Sequence, residues 1–215
     1  FLASAASGVL FAVVNLPLRR PGDPIGAGAR PSTRSWFGPG VLAVLLAGTM
    51  STVVFTGTDL AAVATLNDVG KASSIGWVLA LWAFGSLIGG LTYGAADRPI
   101  SPFLLLAALG GVTLVPVLAD SALGLGLLLL VAGLLGQPVV TATIEQLTDR
   151  VPEAARGEAM GWHSTSMTTG IAIGGPLSGV AIDRAGGDGG FVVVGVVAIV
   201  VGLALWAVSR ARLAR

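Results

Sequence analysis

The chain has 215 residues, a formal net charge of +1, 11% charged against 54% apolar residues, and a mean hydropathy of +0.88. Soluble domains carry about a quarter of their residues as Asp, Glu, Lys and Arg; this chain has too few to cover a water-facing surface, so the surrounding medium is lipid. The absence of Cys excludes disulfides and thiolate chemistry, the single His argues against a His-rich zinc site, and the balanced charge leaves no case for a nucleic-acid partner.

In chain order, residues 1–16 form an apolar run, read as the end of a helix that begins upstream. Residues 17–38 are rich in Pro, Gly and Arg without helical periodicity, and read as a cytoplasmic loop. Residues 39–215 read as a transmembrane domain. A helix needs ~20 apolar residues to cross the hydrocarbon core, and such stretches recur at 40–66, 75–95, 102–119, 123–144, 157–182 and 190–208. The expected fold class is an all-α membrane protein with six transmembrane helices plus the end of a preceding one.

Charge placement gives a separate test, because Lys and Arg near helix ends are retained on the cytoplasmic side. With six spans, ten of the twelve basic residues fall on one side and only Lys71 and Arg184 on the other. The loop and the carboxy terminus are therefore expected in the cytoplasm. Glycine is frequent, 32 residues, and pairs four apart at 85 and 89, 90 and 94, 157 and 161, 170 and 174, and 175 and 179. That spacing puts both on one helix face, which permits close packing or smooth sliding of helices.

Polar residues at membrane depth are costly and normally face protein or a cavity. Asp59, 19 residues into its stretch, is either a proton-coupling carboxylate or a cap at the helix end. Gln137 with Pro138 suits a solute cavity or a bridge between helices. His163 stands beside Trp162 and reads as interfacial, and Ser164 and Thr168 share a helix face, as do Thr165 and Thr169. Glu145, Asp149, Arg150, Glu153, Arg156 and Glu158 form either a charge clamp or a solvated loop. Trp36 and Trp77 read as interface anchors, and Trp82 faces lipid or a cavity.

Two local patterns point to a family. The run Gly89-Gly90-Leu91-Thr92-Tyr93-Gly94-Ala95-Ala96-Asp97-Arg98 is similar to the loop signature of the major facilitator superfamily, with its glycine out of register and its later basic residues absent. The run Gly170, then Gly174-Gly175-Pro176-Leu177-Ser178-Gly179 resembles the glycine-proline signature of drug/proton antiporters, in the repeat-equivalent helix and offset by one residue. The order of spans and loop also resembles the carboxy-terminal half of such a transporter.

The resemblance implies a half-bundle that pairs with a missing amino-terminal six-helix half in the inner cell membrane, and a small organic solute moved by alternating access, with protons as coupling ion and efflux as direction. It makes Asp59, Gln137, Pro138, Ser164 and Thr168 cavity candidates, and Asp97, Arg98, Gly170, Gly174, Gly175, Pro176 and Gly179 gating candidates. No metal or cofactor is expected, and no phosphate loop supports direct nucleotide use. The alternatives are a non-transporting membrane subunit or a membrane-embedded enzyme. The second would need a convergent catalytic set, which is absent from the spans, so enzymatic activity is not expected.

Overall fold

A computed structural model describes residues 31–96 and 100–213. The expected helix end at 1–16, most of the loop 17–38 and the Asp97–Arg98 pair lie outside them. Among the described residues, every regular element is helical.

A single turn, α1 (Thr33–Trp36), leads into α2 (Pro39–Asp68). Proline suits the first position of α2, where no helical acceptor waits for its missing N–H. The helix ends where Gly70 takes a φ of 68°. There the Gly70 N–H reaches the Asn67 carbonyl at 3.0 Å and the Lys71 N–H reaches Leu66 at 2.7 Å, a glycine-based C-terminal closure. A short 3-10 turn precedes α3 (Ile75–Gly94). The next helix, α4 (Pro102–Thr113), also opens on proline and continues as a 3-10 turn, Val115–Leu118. The N-cap of α5 (Ala122–Gly133) is Ser121, whose hydroxyl accepts the Gly124 N–H at 3.0 Å. Two helices complete the chain, α6 (Gly136–Arg150) and α7 (Arg156–Leu213).

Two departures from the sequence reading stand out. The stretch expected as one helix over 123–144 is broken between α5 and α6. Pro138 has no N–H for the Leu134 carbonyl, and the backbone tightens there, with the Leu135 N–H on the Ala132 carbonyl at 3.2 Å. Conversely, the expected connection at 183–189 shrinks to two residues. Only Ala185 and Gly186 leave helical geometry within the 58 residues of α7. Gly186 has a φ of 64°, which glycine adopts without penalty. Unbroken, 58 residues would run ~87 Å, against a hydrocarbon core of ~30 Å. The break yields a first arm, 156–184, and a second arm, 187–213.

Among the described residues four helical stretches, Pro39–Asp68, Ala72–Gly94, Ala122–Arg150 and Glu153–Arg212, are long and apolar enough to cross a membrane; Pro102–Leu118 is a shorter apolar one. Packing centres on α2, which lies against α6 and the first arm, while α3 lies along α5 and α4 along the second arm. Lipid gives helices no hydrophobic drive to associate, so contact depends on close backbone approach. Gly85 and Gly89 sit against the Leu130 and Leu134 carbonyls, and Gly110 and Gly195 lie against each other's carbonyls. Gly90 rests on the Gln137 side chain, whereas Gly94, Gly157 and Gly161 meet nothing.

Contacts define the two ends of the bundle. At the first end Thr33 bonds Glu158, Gly40 abuts Arg150, Tyr93 bonds Glu145, and Phe103 abuts Gly202. At the second, Val69 and Lys71 meet Asp120 and Ser121, and Gly186 meets Asp68. Arg34, Arg150, Arg156, Arg210 and Arg212 thus gather at the first end, and Lys71 and Arg184 at the second.

Candidate functional site

The polar residues of the first arm divide between two faces. One face is a seam with α2. The Thr49 hydroxyl lies 3.0 Å from the Ser166 carbonyl, and the Thr52 hydroxyl lies 2.9 Å from the Met167 carbonyl. Both bonds cross between helices, and they need the backbones close together. Glycine provides this: Gly170 rests on the Thr49 carbonyl and the Thr52 hydroxyl, and a Cβ on Gly174 would lie 3.1 Å from the Val53 backbone. Deeper in the bundle, Gly57 faces the Ser178 hydroxyl. The buried hydroxyls of Ser178 and Thr58 have no hydrogen-bond partner.

His163 belongs to the same seam and is 2% exposed. The expectation of an interfacial histidine is therefore corrected. Its Nε2 lies 2.9 Å from the Thr143 hydroxyl of α6, and that hydroxyl gives its proton to the Val140 carbonyl at 2.7 Å. A hydroxyl has one proton, so with that proton on Val140 the Thr143 oxygen accepts from the His163 Nε2–H. Gly48 of α2 leaves room for the ring; a Cβ there would stand 3.5 Å from Nε2. Trp162, its neighbour, is exposed and meets Phe37 edge-on, at 5.4 Å between centroids.

The other face of the arm is open. Ser164, Thr165, Thr168 and Thr169 are exposed and line a concavity of about 500 Å³ with Ala172 and Ile173. These residues straddle position 170, the midpoint of the 156–184 arm. Pro176 is exposed just beyond, and Gly175 and Gly179 have nothing within 4 Å of a would-be Cβ. The residues read as a glycine-proline signature thus separate. Gly170 and Gly174 serve the seam, Ser178 is buried, and Gly175, Pro176 and Gly179 lie away from α2.

Asp59 is exposed on α2, which runs nine residues further to Asp68, so it does not cap the helix end. Gln137 is exposed at the start of α6, over Gly90, whose would-be Cβ lies 3.1 Å from the Gln137 Cβ, and Pro138 is buried. Asp59, Gln137 and the Ser164–Thr168 pair lie on three different elements. The structure does not join them into one hydrogen-bonded group.

At the first end, hydroxyls hold two of the clustered carboxylates. Tyr93 donates to Glu145 at 3.2 Å, and Thr33 donates to Glu158 at 2.7 Å. Glu145, Gln146, Asp149 and Arg150 border a concavity of about 550 Å³ with Ser101 and Pro102. Arg150 donates to the Gln146 carbonyl at 3.0 Å. The guanidinium stays charged at physiological pH. Trp36 is buried at 6% exposure, which corrects its reading as an interface anchor, while Trp77 is 41% exposed as an anchor would be. Trp82 packs inside, 6.1 Å from Phe55.

Sequence reasoning passed over Thr49, Thr52 and Thr143, whose hydroxyls organise the seam. A signal existed for the first two, since Gly48, Thr49 and Thr52 fall within little more than one helical turn.

Comparison with curated proteins returns no match. The sequence model of the Major Facilitator Superfamily matches residues 40–214, which takes in all the spans and both faces of the first arm. With that match over most of its length, the all-helical chain belongs to the major facilitator superfamily of membrane transporters.

Proposed function

We propose that the chain forms one six-helix half of a secondary transporter that exports a small organic solute by alternating access, driven by protons. The six spans are α2, α3, α4 with its 3-10 continuation, α5 with α6, and the two arms of α7. The arginine-bearing first end lies in the cytoplasm with the carboxy terminus, on the inner membrane, as charge retention requires. A second six-helix half faces this one and closes the cavity.

The observation that carries this reading is the open hydroxyl face of the first arm. Its concavity of about 500 Å³ lies at mid-length of a helix whose opposite face is packed against α2. Transporter sites of this kind sit near the bilayer midplane between two repeats. Gln137, at the α5–α6 break, supplies a second exposed polar group, and Pro138 accounts for the interruption that admits it. Asp59 is the proton carrier, being an exposed carboxylate inside a helix. Asp97 and Arg98, outside the described residues, are gating residues by the resemblance of their run to the family's loop signature. Gly170 and Gly174 offer the smooth contact on which the arm moves, while Gly175, Pro176 and Gly179 bend it.

The test uses the intact protein in liposomes with an imposed pH gradient. The reading expects solute movement that follows the gradient, and loss of that dependence in Asp59→Asn. Transport indifferent to the gradient would remove proton coupling, and no transport of any solute would remove the function.

A further inference from the structure

Resting on that reading of the concavity, we infer that the transported solute is a hydrogen-bond donor carrying positive charge, in chemical class a primary or secondary ammonium ion.

The argument begins with where the hydroxyl protons go. Each threonine hydroxyl has one proton and two lone pairs. On the open face Thr165 donates to the Gly161 carbonyl at 3.0 Å, Thr168 to Ser164 at 3.0 Å, and Thr169 to Thr165 at 2.8 Å. All three protons are spent on the helix's own backbone. What the oxygens turn toward the concavity is lone pairs. Ser164 alone among these hydroxyls keeps a proton free to give.

Proline adds a further acceptor. Pro176 has no N–H, so it withholds the helical bond that would cover the carbonyl four residues earlier. That carbonyl belongs to Ala172, which lines the same concavity. A helix end is not involved; Pro176 lies well inside the arm. The face therefore accepts hydrogen bonds at three side chains and one backbone oxygen.

Charge points the same way. Every Lys and Arg among the described residues stands at an end of the bundle, and none borders the concavity. An anionic solute would meet lone pairs with no cation beside them, and an acceptor cannot hydrogen-bond to an acceptor. An N–H cation satisfies the same lone pairs with charge-assisted bonds.

The probe pair is 2-phenylethylammonium and its N,N,N-trimethyl derivative, which share charge and aromatic body but differ in N–H groups. Binding of each to the purified intact protein is measured by calorimetric titration. The primary ammonium should bind about tenfold tighter or more, the worth of one good hydrogen bond. Thr168→Val should erase most of that preference, and Thr168→Ser should restore it, since serine can bond its own backbone in the same way. Equal or tighter binding of the trimethyl compound, or no binding of either, would overturn the inference. Ala172→Trp, which fills the concavity, separates the two levels. Equal binding that Ala172→Trp abolishes sinks the donor preference and leaves the site standing. Binding untouched by Ala172→Trp sinks the site and the inference with it.

Discussion

The two faces of the first arm use the same residue types to opposite ends. Against α2, threonine hydroxyls from Thr49 and Thr52 reach across to carbonyls of the arm, and glycines at 170 and 174 let them. On the open side, Thr165, Thr168 and Thr169 turn their protons back onto the arm itself and leave their oxygens facing out. The difference lies in the neighbour. Where a second backbone stands close, a hydroxyl is shared between its own helix, as Thr49 with Leu45 and Thr52 with Thr49, and the neighbour; where none does, it satisfies its own helix alone and keeps lone pairs for something else. A polar residue in a transmembrane helix is therefore informative only once its face is known.

Substitutions can break this contrast in order of expected severity. Gly170→Leu drives a side chain into the Thr49 carbonyl and the Thr52 hydroxyl, and should cost about 3 kcal/mol of stability; thermal unfolding in detergent would show it as a large fall in midpoint. Gly175→Leu, five residues on, faces open space and should leave the midpoint nearly unchanged. Equal losses at the two positions would contradict the division of faces. His163→Leu removes the donor to Thr143 at a site buried between three helices, with an expected cost of about 1–2 kcal/mol in the same assay. Thr49→Val is milder. Hydrogen bonds between membrane helices average about 0.6 kcal/mol, and the loss should appear as a small shift that Thr168→Val does not produce.

Hydropathy made most of the architecture legible. Long apolar runs between polar connections sufficed to show an all-helical membrane architecture among the described residues, because a bilayer demands length and low charge whatever the packing. The breaks were harder. The stretch over 123–144 read as continuous despite Pro138, yet the helix is interrupted before that proline, at the Leu134 carbonyl it cannot cover. The run of charges and glycines near 183–189 suggested a loop, but Ala185 and Gly186 turn the chain by themselves, and Asp183, Arg184 and Asp188 remain helical.

Faces were the least legible feature. In a soluble helix the polar side marks the outside, whereas here Val, Leu and Ile face both lipid and protein, so periodicity carries almost no contrast. His163 illustrates this. Beside Trp162 it read as interfacial, yet the two side chains point about a quarter-turn apart, and one is buried while the other is exposed. Asp59 was open between cap and carrier, and only the continuation of α2 to Asp68 removed the first choice.

The central claim is that the open face of the first arm lines a water-filled cavity and does not face lipid. This half contains no cysteine, so single cysteines placed at Thr168 and at Ser178, in an intact protein free of other cysteines, test it directly with a charged, water-soluble thiol reagent. The account predicts rapid labelling at 168, slowed by bound solute, and none at the buried position 178. A residue 168 that resists the charged reagent and reacts only with a lipid-soluble one would contradict it.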